Sequence, residues 1–149
     1  MKIQTILVPT DFSPDARAAL VKAKDLARTL GSRIVILHAY RVDIPMSTPG
    51  LGGGFIVPDR FYEELRASAT GRVEALAAET VKDGVKAEGI AMEDVAAPAI
   101  VDLAKRLPAD LIVMGTRGLT GLAHVVLGSV ADRVIRMASC PVLTVKATE

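Results

Sequence analysis

Apolar and polar positions alternate between two periods along this chain. Residues 3–9, 33–39 and 111–115 are short, nearly continuous apolar runs rich in β-branched side chains. Such runs are the pattern of strands covered on both faces. Between them the apolar residues fall at helical spacing. Ala16, Ala19, Leu20, Ala23, Ala27 and Leu30 mark one helical face. Ser13 supplies the N-cap, Pro14 the first position and Asp15 a negative charge at the positive end of the dipole. Gly31 closes the helix. A second helix is predicted from Pro58 to about residue 83, with a stripe through Tyr62, Leu65, Ala69, Val73, Leu76 and Thr80. Residues 85–92 read as a strand, and Lys86 and Glu88 place it at a sheet edge. Pro98 opens a third helix along Ile100, Val101, Ala104 and Leu107, and Pro108 ends it. A fourth helix carries Leu127, Val130, Ala131, Val134, Ile135 and Ala138. Residues 142–146 form a last strand after Pro141. Residues 41–57 hold Pro45, Pro49 and a run of glycines, and read as a long loop that is either mobile or a lid.

Strands alternating with helices predict an α/β domain over residues 1–149. The expected form is an open, parallel five-stranded sheet with right-handed crossovers and helices on both faces, Rossmann-like. The apolar strands one, two and four belong in the centre and the more polar three and five at the edges. The order 3-2-1-4-5 satisfies this and puts the reversal between strands one and four. Ligands of such sheets bind at the carboxyl ends of the strands, at that reversal. The loops there are Thr10-Asp11 and residues 115–118.

Composition narrows the reading. Half the chain is apolar, with three Phe, two Tyr and no Trp, so the core is aliphatic and disorder is excluded. A single cysteine, Cys140, excludes a disulfide scaffold and is compatible with a reducing compartment. Eighteen Lys and Arg against seventeen Asp and Glu leave a net charge of +1. No basic face is forced, and nucleic acid is not an expected partner. No apolar run is long enough for a membrane helix, and the start of the chain lacks a signal-peptide pattern. A cytoplasmic location is expected.

The candidate chemistry lies in residues 115–129, GTRGLTGLAHVVLGS. Glycines let backbone N–H groups approach an anion with no Cβ in the way. Ser129 stands at the start of the last helix, where free N–H groups and the dipole favour negative charge, and its hydroxyl adds a donor. Ordinary turn glycines are the plain alternative. The predicted reversal, the central strand before the loop and Asp11 on the same crevice weigh against it. Arg117 is the loop's one cation; it either leans toward a phosphate or sits at a solvated tip. There is no P-loop lysine and no dinucleotide fingerprint. His38 reads as a strand-end residue, His124 as a solvent-facing one, and Cys140 as an inert core thiol.

Gly115-x2-Gly118-x9-Gly128-Ser129 resembles the ATP-binding signature of the universal stress protein family. The resemblance covers the whole chain. Residues 6–13 are similar to the family's first strand and Asp loop, 35–39 to its second strand and 139–143 to its closing strand. It implies ATP as the ligand. A triphosphate carries several negative charges and the loop offers only Arg117, so Mg²⁺ is expected to accompany the nucleotide. Pro9, Thr10 and Asp11 would lie near the adenosine, with the Asp11 carboxylate toward the ribose hydroxyls. His38 and Ala39 would border the adenine, chiefly through backbone. Met114 and Gly115 would pack by the sugar and first phosphate. Gly118, Gly128, Ser129 and Val130 would hold the phosphates. The expected function is a nucleotide-sensing stress-response module. A slow ATP hydrolase and a nucleotide-free protein-interaction module are the alternatives. Residues 142–146 would otherwise leave an unpaired sheet edge, so a homodimer through that strand is expected, as the resemblance also implies.

Overall fold

A computed structural model describes residues 1–42, 57–119 and 126–148. Residues 43–56 of the long loop, expected to be either mobile or a lid, and the position of His124 lie outside the described residues. The elements follow in the order β1 Thr5–Pro9, α1 Pro14–Leu30, β2 Arg33–Tyr40, α2 Asp59–Lys82, β3 Ala87–Glu93, α3 Ala96–Arg106, β4 Leu111–Gly115, α4 Ser129–Met137 and β5 Val142–Val145. The strands form one parallel sheet in the order β3-β2-β1-β4-β5, as the apolar and polar strands predict.

Alternation along the strands sorts the core into two layers. Ile6, Val8, Ile34 and Ile36 pack under α1 and α2 with Ala19, Ala23, Val73 and Ala77. Leu7, Val35, Leu37, Ile112 and Met114 pack against α3 and α4 with Ile100, Ala104, Ala131 and Val134. The small alanines let the helices lie close to the sheet. Gly89 of β3 serves the same end: a Cβ there would come 2.6 Å from the Val73 carbonyl oxygen of α2.

Local chemistry sets the helix ends. The Ser13 hydroxyl caps α1 by accepting from Ala16 N–H at 3.2 Å. Gly31 ends α1 at φ +69°, a left-handed conformation that costs other residues more. Helix α3 begins two residues before Pro98. A proline is tolerated in a first turn because its missing N–H has no helical partner there. Strand β1 begins at Thr5, because the Gln4 and Thr5 amides are held by the Asp110 carboxylate at 2.8 and 3.0 Å. Strand β3 runs to Glu93, which pairs with Tyr40.

Candidate functional site

The chain leaving β1 turns to α1 on one face, and the chain leaving β4 runs to α4 on the other. A cleft of about 530 Å³ opens between them at the carboxyl ends of the strands. Pro9, Thr10, Asp11, Ala39, Met114, Gly115, Arg117, Gly118, Gly128, Ser129 and Val130 all line it. Leu37, Ala96 and Ile100 complete an apolar wall with Ala39 and Met114. The sequence reading missed that wall's contribution from the start of α3, which carries no polar signal.

His38 is not on the cleft. Strand alternation turns its side chain to the opposite face of β2, where Nδ1 lies 2.9 Å from the Thr10 carbonyl oxygen. Its ring meets Phe12 edge-on at 4.8 Å, and the Arg72 guanidinium covers the other ring at 3.8 Å from its centroid. Phe12 has φ +62°, a left-handed conformation uncommon for an aromatic residue. The stack therefore fixes the turn that carries Asp11. The backbone of Ala39 is placed differently. Thr10 N–H donates to the Leu37 carbonyl at 2.8 Å, so Leu37 presents its backbone to β1. Ala39, two residues on, presents its N–H and C=O to the same side, beyond the end of β1.

The Asp11 carboxylate holds two loops. Oδ1 accepts from Ser13 N–H at 3.0 Å and Oδ2 from Leu119 N–H at 3.0 Å. The glycines have separate reasons to lack a side chain. A Cβ at Gly115 would lie 2.9 Å from the backbone of Asp15 and Ala16, so this glycine seats the start of α1 on β4. A Cβ at Gly118 would lie 2.6 Å from Asp11 Oδ2. A Cβ at Gly128 would lie 3.1 Å from the Thr116 carbonyl oxygen, to which the Gly128 N–H donates at 2.6 Å to join the two ends of the loop. Gly128 also precedes α4 and offers no side-chain acceptor to its first turn. The N–H groups of Ser129, Val130 and Ala131 thus stand at the cleft with the positive end of the dipole.

Arg117 is neither a solvated tip nor a free cation. Its Nε lies 3.4 Å from Asp15 Oδ2, and its side chain is 24% exposed. Asp15 itself is 4% exposed. Burial pushes its carboxyl up, but the bonds from Ala147 N–H, Thr116 and Arg117 outweigh this and hold it below the ordinary carboxylate range. The sequence placed Asp15 at the helix dipole and gave no sign of these distant donors. Cys140 is half-buried, and burial together with the Asp110 charge pushes its thiol up, which disfavours a reactive thiolate.

The chain has relatives among known proteins. Residues 2–146 match the profile of the Universal stress protein family. The universal stress protein MJ0531 of Methanocaldococcus jannaschii is 38% identical over 141 residues, covering 95% of this chain and 81% of that protein. The chain belongs to the universal stress protein family. Solved structures agree. A universal stress protein from Archaeoglobus fulgidus in complex with dAMP has a TM-score of 0.63 and 27% identity, covering 98% of this chain and all of the other. A universal stress protein in complex with cAMP has a TM-score of 0.70 and 26% identity, covering 99% of this chain and all of the other. Among the described residues no helix is long and apolar enough to cross a membrane.

Proposed function

We propose that the cleft binds an adenine nucleotide, ATP with Mg²⁺, and that the protein works as a dimeric nucleotide-sensing module. One observation carries this reading. A single cleft sets an apolar wall beside the uncapped first turn of α4 and the glycine loop. An adenine ring suits the wall, where the Ala39 backbone can pair with its polar edge. A phosphate chain suits the N–H groups of Ser129, Val130 and Ala131. The dAMP and cAMP complexes of the structural relatives support an adenine nucleotide. Asp11 would have to exchange its bond to Leu119 N–H for one to the ribose. The Ser129 hydroxyl is a hard oxygen donor of the kind Mg²⁺ prefers. Among the described residues no three metal-ligating side chains cluster, so the metal is proposed as carried by the phosphates. There it would neutralise charge that the paired Arg117 does not.

ATP with Mg²⁺ at about 100 times its dissociation constant should stabilise the folded state by about 2.7 kcal/mol. The melting temperature should then rise by about 5–10 °C. No shift at millimolar ATP would favour the nucleotide-free interaction module.

Turnover should be slow. Hydrolysis needs a group to orient water at the terminal phosphate. Among the described residues the carboxylates at the glycine loop are Asp11, which is held by Ser13 N–H and would be committed to the ribose, and Asp15, which accepts from Thr116, Arg117 and Ala147. Phosphate release is expected well below roughly 1 per second, the low end of ordinary enzymes. A faster rate that disappears in Ser129→Ala would establish the hydrolase instead.

The dimer is proposed through β5, an edge strand with Leu143 38% exposed. Pro141 and Val145 accept from Ile112 and Thr116 N–H, so every second residue of β5 turns its backbone to β4. Leu143 belongs to that set, and Thr144 turns its N–H to the open edge. Thr144→Pro should therefore give monomers with the β4–β5 ladder intact, whereas Leu143→Pro would damage the sheet itself. Light scattering at tens of micromolar (roughly the range for a standard interface) should show a dimer for the unmutated protein and a monomer for Thr144→Pro. A monomer in both cases would sink the proposal.

A further inference from the structure

The Asp15 carboxylate divides its two oxygens between segments far apart in sequence. Oδ2 accepts from the Thr116 hydroxyl at 2.8 Å, from Arg117 N–H at 3.1 Å and from Arg117 Nε at 3.4 Å. These residues begin the glycine loop. Oδ1 accepts from Ala147 N–H at 3.0 Å. Ala147 follows β5 by two residues and is not part of the cleft. One further bond joins the same two segments, from Thr116 N–H to the Val145 carbonyl at 2.9 Å.

A helix dipole asks only for an exposed acid in the first turn. Asp15 is instead buried, and its carboxylate is surrounded by donors from β4's exit and β5's exit. Gly115 brings α1 close enough for this reach, since its missing side chain lets the Asp15 backbone approach β4.

We infer that Asp15 is a positioning residue that fixes the entry of the glycine loop for a nucleotide phosphate and couples it to the chain leaving the edge strand β5. The inference rests on the proposed nucleotide cleft. A ligand that shifts Thr116 and Arg117 moves the donors on Oδ2. The same carboxylate then moves against Ala147. Occupancy of the cleft and the state of the β5 edge are linked through it, and such linkage acts in both directions.

Two opposing effects give the test its sign. Asp15→Asn removes a negative charge beside an anion site, and electrostatics alone would tighten ATP binding. Positioning predicts the reverse, because the amide cannot accept from all four donors. ATP with Mg²⁺ should bind Asp15→Asn about tenfold more weakly than the unmutated protein, the order expected when charge-assisted bonds are lost. Amide hydrogen exchange supplies the second readout. Asp15→Asn should speed exchange at both Arg117 and Ala147 by about tenfold without ligand. ATP should slow exchange at Ala147 in the unmutated protein and not in Asp15→Asn. If Asp15→Asn does not fold, Thr116→Val removes one bond to Oδ2. It should speed exchange at Ala147, and Thr116→Ser should restore it. Unchanged or tighter ATP binding by a folded Asp15→Asn overturns the positioning role. Unchanged exchange at Ala147 overturns the coupling. Should the unmutated protein bind no ATP while both amides still respond to Asp15→Asn, the nucleotide reading fails and the tie between the two segments stands.

Discussion

Gly118→Val should abolish ATP binding, by about 100-fold or more, and leave the fold intact. A Cβ at this position would sit 2.6 Å from Asp11 Oδ2, the oxygen that receives Leu119 N–H. Valine must displace either the carboxylate or the loop. The carboxylate is the end of a flexible side chain and yields first, so the cost to folding is small. The site pays twice. Asp11 loses its place toward the ribose, and the isopropyl group occupies space on the cleft wall where a phosphate would pass. A 100-fold loss is about 2.7 kcal/mol, within reach of two lost charge-assisted bonds at about 1.5–3 kcal/mol each. Calorimetric titration with ATP and Mg²⁺ checks the loss, and far-UV circular dichroism checks the fold. Binding within threefold of the unmutated protein would show that the glycine loop does not hold the ligand.

Gly115→Val should act on stability. Its Cβ would meet the backbone of Asp15 and the amide nitrogen of Ala16 at 2.9 Å. No side chain can swing away there. The first turn of α1 has to lift from β4, against the packing of Ala16 and Ala19 and the capping bond of Ser13. Overpacking of this kind costs about 1–3 kcal/mol and sometimes more. The melting temperature without ligand should fall by about 3–10 °C. The Asp15 bonds to Thr116, Arg117 and Ala147 should loosen with it. An unchanged melting temperature would mean that α1 is not seated on β4 through this glycine. The two substitutions lie three residues apart, yet the loss in melting is expected of Gly115→Val alone, whereas Gly118→Val should act on binding with melting nearly unchanged.

The contrast shows what the sequence could and could not convey. Strand order followed from which runs were most nearly continuous in apolar residues, because residues 3–9, 33–39 and 111–115 must be covered on both faces. The reversal and its loops followed from that order. The spacing of Gly115, Gly118, Gly128 and Ser129 located the cleft, yet not what each glycine accommodates: Gly115 faces the α1 backbone and Gly118 faces Asp11. Period-two alternation could have separated His38 from Ala39, and only Ala39 is on the cleft. Asp15 was legible as a helix-start acid alone. Its donors lie more than a hundred residues away, at Thr116, Arg117 and Ala147, and no local pattern announces them. Helix α3's share of the apolar wall was hidden too, since Ile100 read as the apolar side of a helix and Ala96 lies before the Pro98 at which that helix was expected to open.

The most direct test of the nucleotide cleft is equilibrium titration of the purified, nucleotide-stripped protein with ATP and Mg²⁺, beside the Gly118→Val variant. The account predicts saturable binding of one nucleotide per chain to the unmutated protein, weakened when Mg²⁺ is removed, and none to a folded Gly118→Val at the same concentrations. Absence of saturable binding by the unmutated protein at millimolar ATP, or equal binding by both proteins, would contradict it.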